Sequence, residues 1–137
     1  MLCMKALFFS DVHGDFNNLE RFLWAAELIP HDKKYCLGDI VHDGGFTCVH
    51  EPPFEYDPTI IGRAVTFAGH SHRTAIPAVG KNGLLKEETF RFDYPFRHAV
   101  DKEYIVEVGV IGVRPPNNPT YALFDNAERV LLMRELR

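Results

Sequence analysis

The chain has 137 residues, 46% of them hydrophobic and 25% charged, which is enough for one domain with a sizeable core. No apolar run approaches the roughly 18 residues that a membrane span needs. The net charge is −4 with histidine neutral, and there is no basic stripe, which argues against long nucleic acid as a partner. A small phosphorylated substrate stays open, because bound cations would reverse the local sign.

Cys3, Cys36 and Cys48 are odd in number and sit inside apolar runs. They read as small core residues of a reduced, intracellular protein. The start, MLCMKALFF, lacks a long apolar stretch followed by a small-residue cleavage site, so the expected compartment is the cytoplasm.

Residues 5–10, KALFFS, are the first apolar run and predict a buried parallel strand. The turn DVHGD follows. A helix is expected from near Asn17, with Glu20 as a capping-box partner and Leu19, Phe22, Leu23 and Ala26 at helical spacing. Pro30 marks its stop. Residues 34–37 predict the next strand, ended by Gly38 and Asp39. This strand–helix–strand order predicts a right-handed parallel unit, with ligand groups gathered beyond the strand C-termini. Residues 46–49 form a third strand leading into His50, EPPFEYDP a loop, and 64–68 a fourth strand ending at Gly69. Segments 74–79, 83–92, 103–111, 120–125 and 129–136 read as further strands, with no second helix of strength. The expectation is one α+β domain over 1–137, with an antiparallel or mixed sheet packed on the first unit.

Six residues stand at or just past these strand ends: Asp11, His13, Asp39, His50, His70 and His72. Alternate residues leaving a strand point the same way, so Asp11 and His13 can face one ion, and the rings of His70 and His72, two apart after an apolar strand and a glycine, can be presented to neighbouring ions. Gly14 permits a tight turn and close approach of backbone to a ligand. A carboxylate at Asp39 can bridge two ions. Each cluster alone is also explained by a polar turn. Their shared placement points to divalent cations, for which carboxylate and neutral imidazole are common ligands. His42 and Asp43 read as loop residues, Arg73 as a candidate phosphate contact, and His31 and His98 carry no assigned role.

The order DVHGD, GDIVHDG, VH and GHSH resembles the calcineurin-like metallophosphoesterases, especially their small prokaryotic branch. The later stretch EVGVIGVRPPNNPTYALFD resembles that branch too, so the similarity covers nearly the whole chain. The resemblance implies an αββα sandwich of two mixed sheets and a two-metal site for manganese, iron, zinc or a similar ion. Carried over, Asp11, His13 and His72 would hold the first ion, His50 and His70 the second, and Asp39 would bridge. Hydrolysis of a phosphomonoester or phosphodiester would follow, with attack in line with the leaving oxygen.

The sequence departs from that pattern in one place. The family has a Gly-Asn-His-Asp or Gly-Asn-His-Glu segment between the Gly-Asp motif and the next metal-binding His. Here only ten residues separate Asp39 from His50, and none is Asn. The second ion would lose a ligand, leaving one or two ions per chain. The leaving group would lose its proton donor, a contribution typically worth about 10²–10⁴-fold. The fold would be a truncated sandwich, and the uncovered edge or apolar patch would favour a homo-oligomer. The alternative function is an internally deleted homologue that binds metal and hardly catalyses.

Overall fold

The computed structural model describes residues 5–37, 41–43, 46–50, 65–80, 84–99, 102–114 and 116–137. The first sheet has five strands, in the order β2 (Lys33–Cys36), β1 (Lys5–Phe9), β11 (Thr120–Asp125), β12 (Val130–Glu135) and β9 (Phe96–Arg97). The second runs β3 (Val41–Asp43), β4 (Phe46–Val49), β5 (Val65–Ala68), β10 (Tyr104–Val108), β7 (Pro77–Val79) and β8 (Leu85–Glu87), with β6 (Thr74–Ala75) also paired to β10. Both sheets are mixed. β1 pairs β2 in parallel, Phe9 opposite Cys36, while β11 lies antiparallel on the other side of β1. β4, β5 and β10 are mutually parallel, and the β6, β7 and β8 segments are antiparallel.

Alternation along the strands sends one face of each sheet into a shared core. Phe8 and Phe124 of the first sheet meet Phe46, Phe67 and Val106 of the second. The Phe8 and Phe67 rings stack, while Phe46 meets both of them edge-on. Such pairs add about 0.5–1.5 kcal/mol each beyond burial, so this aromatic cluster fixes how one sheet sits on the other.

The outer face of the first sheet, Leu7, Phe9 and Tyr121, is covered by α1 (Phe16–Glu27) through Phe22 and Ala26. Asp15 caps the helix, accepting from the Asn18 N–H at 3.0 Å. That corrects the expected Asn17–Glu20 capping box by two positions. Leu23, expected on the buried stripe, is exposed. One helix, about 10 Å wide, cannot cover five strands at about 4.8 Å spacing. An apolar groove of about 400 Å³ therefore runs between Leu28 and Ile29 on one side and Leu123, Val130 and Leu132 on the other.

Other expectations shift. His42 and Asp43, read as loop residues, belong to the strand β3, which forms an antiparallel pair with β4. The expected strand 83–92 is reduced to three residues, and 74–79 breaks at Ile76. β9 has no counterpart in the sequence reading. The loop read at EPPFEYDP lies outside the described residues. Cys48 is buried as expected, whereas Cys36 is exposed because it ends an edge strand. Among the described residues α1 is the only helix, and none is long and apolar enough to cross a membrane.

Candidate metal centre

β1 carries Asp11 just past its end, and the parallel pair β4 and β5 carries His50 and His70 past theirs. The two sheets come together at this rim. Gly69 donates its N–H to the His50 carbonyl at 2.9 Å, and the next N–H, of His70, donates to Asp11 Oδ2 at 2.7 Å. A side chain at Gly69 is excluded, since a Cβ there would lie 2.0 Å from Ser10 Oγ. The close approach of β5 to β1 thus depends on this glycine.

Backbone conformation aims the donors. Asp11, His13, His70 and His72 all have positive φ, from 52° to 65°. They are four of the six non-glycine residues in the left-handed region among those described. The sequence argument placed alternate residues on one face of an extended chain. Left-handed kinks at both ends of Asp11-Val12-His13 and of His70-Ser71-His72 do that work instead. Asp and His tolerate the conformation better than branched residues, and clustering of such backbone marks functional sites. Gly14, with φ 71° and open space around it, completes the first turn.

Two donor groups result, and Asp11 belongs to both. One is Asp11, His13 and His72; the other is Asp11, His50 and His70, with ligand atoms within 4.8 Å of one another. In the first, His13 Nε2 lies 2.9 Å from His72 Nε2, and each lies 3.5 Å from Asp11 Oδ1. A triangle with those sides has a circumradius of roughly 1.9 Å, so a single cation fits at about 2.0–2.2 Å from all three atoms, the usual Zn–N and Zn–O range. The donor set fits a divalent ion of the zinc, iron or manganese kind. His50 is half-buried and its ring meets the His70 ring at 5.0 Å between centroids, while its Nδ1 contacts the Leu37 carbonyl at 3.3 Å. That contact directs the other ring nitrogen away from Leu37, as an outer partner does for a metal-binding imidazole.

The Asp11 carboxylate is only 2% exposed, whereas His13 and His72 are about half exposed. Burial pushes the Asp11 carboxyl up. The Ser10 hydroxyl, the His70 N–H and the nearby His72 and His50 rings outweigh it, and the net shift is downward. Asp11 is therefore an anion ready to ligate near neutral pH. The Ser10 hydroxyl is buried against Asp11 without a well-formed hydrogen bond.

Sequence reasoning missed Ser10 and Asn18. Asn18 is buried, and its Nδ2 donates to Asp15 Oδ2, Ile111 O and Val113 O at 3.0–3.1 Å. It ties α1 to the 111–113 segment, whose Ile111 and Gly112 N–H groups bond to the Ser10 and Asp11 carbonyls. No motif announces either residue. Arg73 pairs with Glu87 on the protein surface, so its guanidinium is already engaged. Asp39 and the side chains of His42 and Asp43 lie outside the described residues.

No protein-family model and no curated protein sequence matches the chain. Among solved structures it is similar to a metallophosphoesterase from Sphaerobacter thermophilus, at 15% identity and a TM-score of 0.72, over 99% of this chain and 89% of that one. A conserved uncharacterized protein from Streptococcus pneumoniae, a predicted phosphoesterase, aligns over 98% of each chain at 13% identity. Its TM-score is 0.45. The two mixed sheets, the helix on the first sheet and the rim of carboxylate and imidazole donors are thus set on a metallophosphoesterase fold.

Proposed function

We propose that the protein is a metal-dependent phosphoesterase of the calcineurin-like type, hydrolysing a small phosphomonoester or phosphodiester. The observation that carries this reading is the pair of donor groups sharing Asp11, built from three strand ends on two sheets. Asp11, His13 and His72 would hold one ion, and His50 and His70, with Asp39 as bridge, a second. When bound, such ions neutralise charge on phosphoryl oxygens and lower the pKa of water to about 7. Asp11 supplies the fixed negative charge, and the exposed edges of His13 and His72 leave an approach for substrate from solvent. An exposed thiol at Cys36 suits a reducing compartment, and we place the protein in the cytoplasm. Assay with nitrophenyl phosphate and added manganese tests the proposal. The expected result is turnover that a chelator removes; undetectable or metal-independent turnover would refute it.

One observation favours a second reading. Seven of the ten residues between Asp39 and His50 are in β3 or β4, which pair with each other, and none of the ten is Asn. On that reading the chain binds metal with little catalysis. Metal analysis separates the two: about one ion per chain without hydrolysis supports the second, and two ions with turnover support the first.

A further inference from the structure

We infer that a cleft of about 540 Å³ beside His72 receives the organic part of the substrate, and that this part is uncharged and bears hydroxyl groups. The inference rests on the phosphoesterase reading for the phosphoryl half alone. The cleft shares His72 with the first donor group, while neither His50 nor His70 lines it. A phosphoryl group at the metal centre would therefore have its ester substituent directed into this space from the His72 side. The volume lies within the range of about 300–1,000 Å³ usual for small-molecule sites.

The walls define the chemistry. Thr74 and Thr120 stand together, their hydroxyls 3.3 Å apart, and Thr120 Oγ1 accepts from the Val110 N–H at 3.1 Å. Asn117 sits on a turn closed by its own N–H to the Arg114 carbonyl at 3.0 Å. Asn118 is fixed by its Nδ2 donating to Glu135 Oε1 at 2.9 Å. Val113 and Pro116 supply an apolar wall. Among the described residues Glu135 is the one carboxylate in the lining, and no lysine or arginine lines the cleft. A second phosphate or a carboxylate on the substrate would meet that carboxylate and no free cation among the described lining residues, and Arg137 is already paired with Glu135 at 3.6 Å. A neutral polyhydroxylated group instead finds two side-chain amides and two hydroxyls. Sites built to hydrogen-bond hydroxyls reject analogues that lack them, since the polar lining is then left unpaired.

The test is a titration of the metal-free protein, following the side-chain amide resonances of Asn117 and Asn118. Ribose, adenosine and inorganic pyrophosphate are the probes. Saturable shifts with adenosine alone assign the cleft to a nucleoside, and shifts with ribose as well assign it to the sugar. Asn117→Ala removes an exposed side chain and keeps the backbone turn. It should raise the half-saturating concentration, read at Asn118, by about three- to tenfold, the loss of one net hydrogen bond. Shifts with pyrophosphate, or none with either sugar-bearing probe, overturn the inference. The outcome is independent of turnover. Hydrolysis of nitrophenyl phosphate with a silent cleft removes this inference only, and a responsive cleft without hydrolysis removes only the phosphoesterase reading.

Discussion

Gly69→Ala adds one carbon where the end of β5 meets Ser10 and Asp11, beside the donors. The new Cβ would lie 2.0 Å from Ser10 Oγ, 2.6 Å from Ser10 Cβ and 2.9 Å from Asp11 Oδ2. Ser10 is fully buried, and both its Cβ and its Oγ stand in the way of the new carbon. The end of β5 must then retreat from β1 by about 1 Å to restore ordinary carbon contacts near 3.5 Å. Overpacking of this kind costs about 1–3 kcal/mol, or a fall in Tm of about 3–12 °C for a chain of this size. The same retreat lengthens the His70 N–H bond to Asp11 and parts the Asp11, His50 and His70 donors. Displacements near 1 Å cost on the order of 10²-fold where geometry is demanding, so manganese affinity should fall at least tenfold. Urea unfolding without metal gives the first quantity and calorimetric titration with manganese the second. Ser10→Gly in the Gly69→Ala background removes the two nearest clashes and should recover most of both, less about 0.5–1 kcal/mol for the added glycine. A Gly69→Ala protein with an unchanged unfolding midpoint and manganese affinity within twofold of the parent would refute this account of the rim.

Three further outcomes are expected. His72→Gly should act in opposite directions on the two states: removal of a left-handed residue with φ 61° raises metal-free stability by about 0.5–1 kcal/mol, while the loss of an imidazole lowers metal affinity. A loss of metal-free stability in urea unfolding would contradict it. Burial holds His98 below its usual 6.5, with Arg129 adding and the Ala99 carbonyl opposing. Above pH 6.5 the ring is neutral in both states and costs nothing. As the pH falls below 6.5, the unfolded chain binds a proton that the native chain resists, and stability drops until the lower native pKa is passed. His98→Phe should flatten that fall between pH 7 and 5, and parallel curves for parent and variant would count against it. On the proposed function, with no family-type Asn-His segment to protonate the leaving group, turnover should decline steeply as that group becomes more basic; equal rates for nitrophenyl and alkyl phosphates would show that another acid is present.

Where periodicity was strong, the sequence was a good guide. β1, β4, β5 and β11 lie within a residue or so of their apolar runs, because each is buried on at least one face, whereas β2 lies within a residue of its run through its parallel pairing with β1. The two-residue β9 was illegible, and β8 is shorter than the strand expected over 83–92, since so short a segment is defined by its partner strand and not by its own residues. β3 was hidden for the same reason. Its sequence, Val-His-Asp, has no strand character alone and is extended through pairing with β4. The capping error at α1 has a local cause: Asp15 and Asn17 are both good caps, and the turn from Gly14 decides between them. Residue types at the site were legible because metal chemistry restricts them. Ser10 and Asn18 were not, because a hydroxyl or amide that supports a site is an ordinary residue until the fold brings it there.

The left-handed residues show how the site is held. Asp11 and His13 on one sheet, and His70 and His72 on the other, repeat one device, a kinked residue on each side of a spacer. Each costs about 1 kcal/mol relative to an unstrained backbone, so the four together are a substantial share of a stability of about 5–15 kcal/mol. Strain of that size persists only where neighbouring bonds over-determine it. Around Asp11 and His70 they do: the His70 N–H is taken by Asp11, the Gly69 N–H by His50, and the Ser10 and Asp11 carbonyls by Ile111 and Gly112. None of these bonds involves a metal. The fold itself therefore maintains the donor geometry, and a cation that enters need not gather its ligands from a relaxed chain. This is also why His72→Gly is informative: it releases strain that the scaffold sustains while removing the donor for which that strain was arranged.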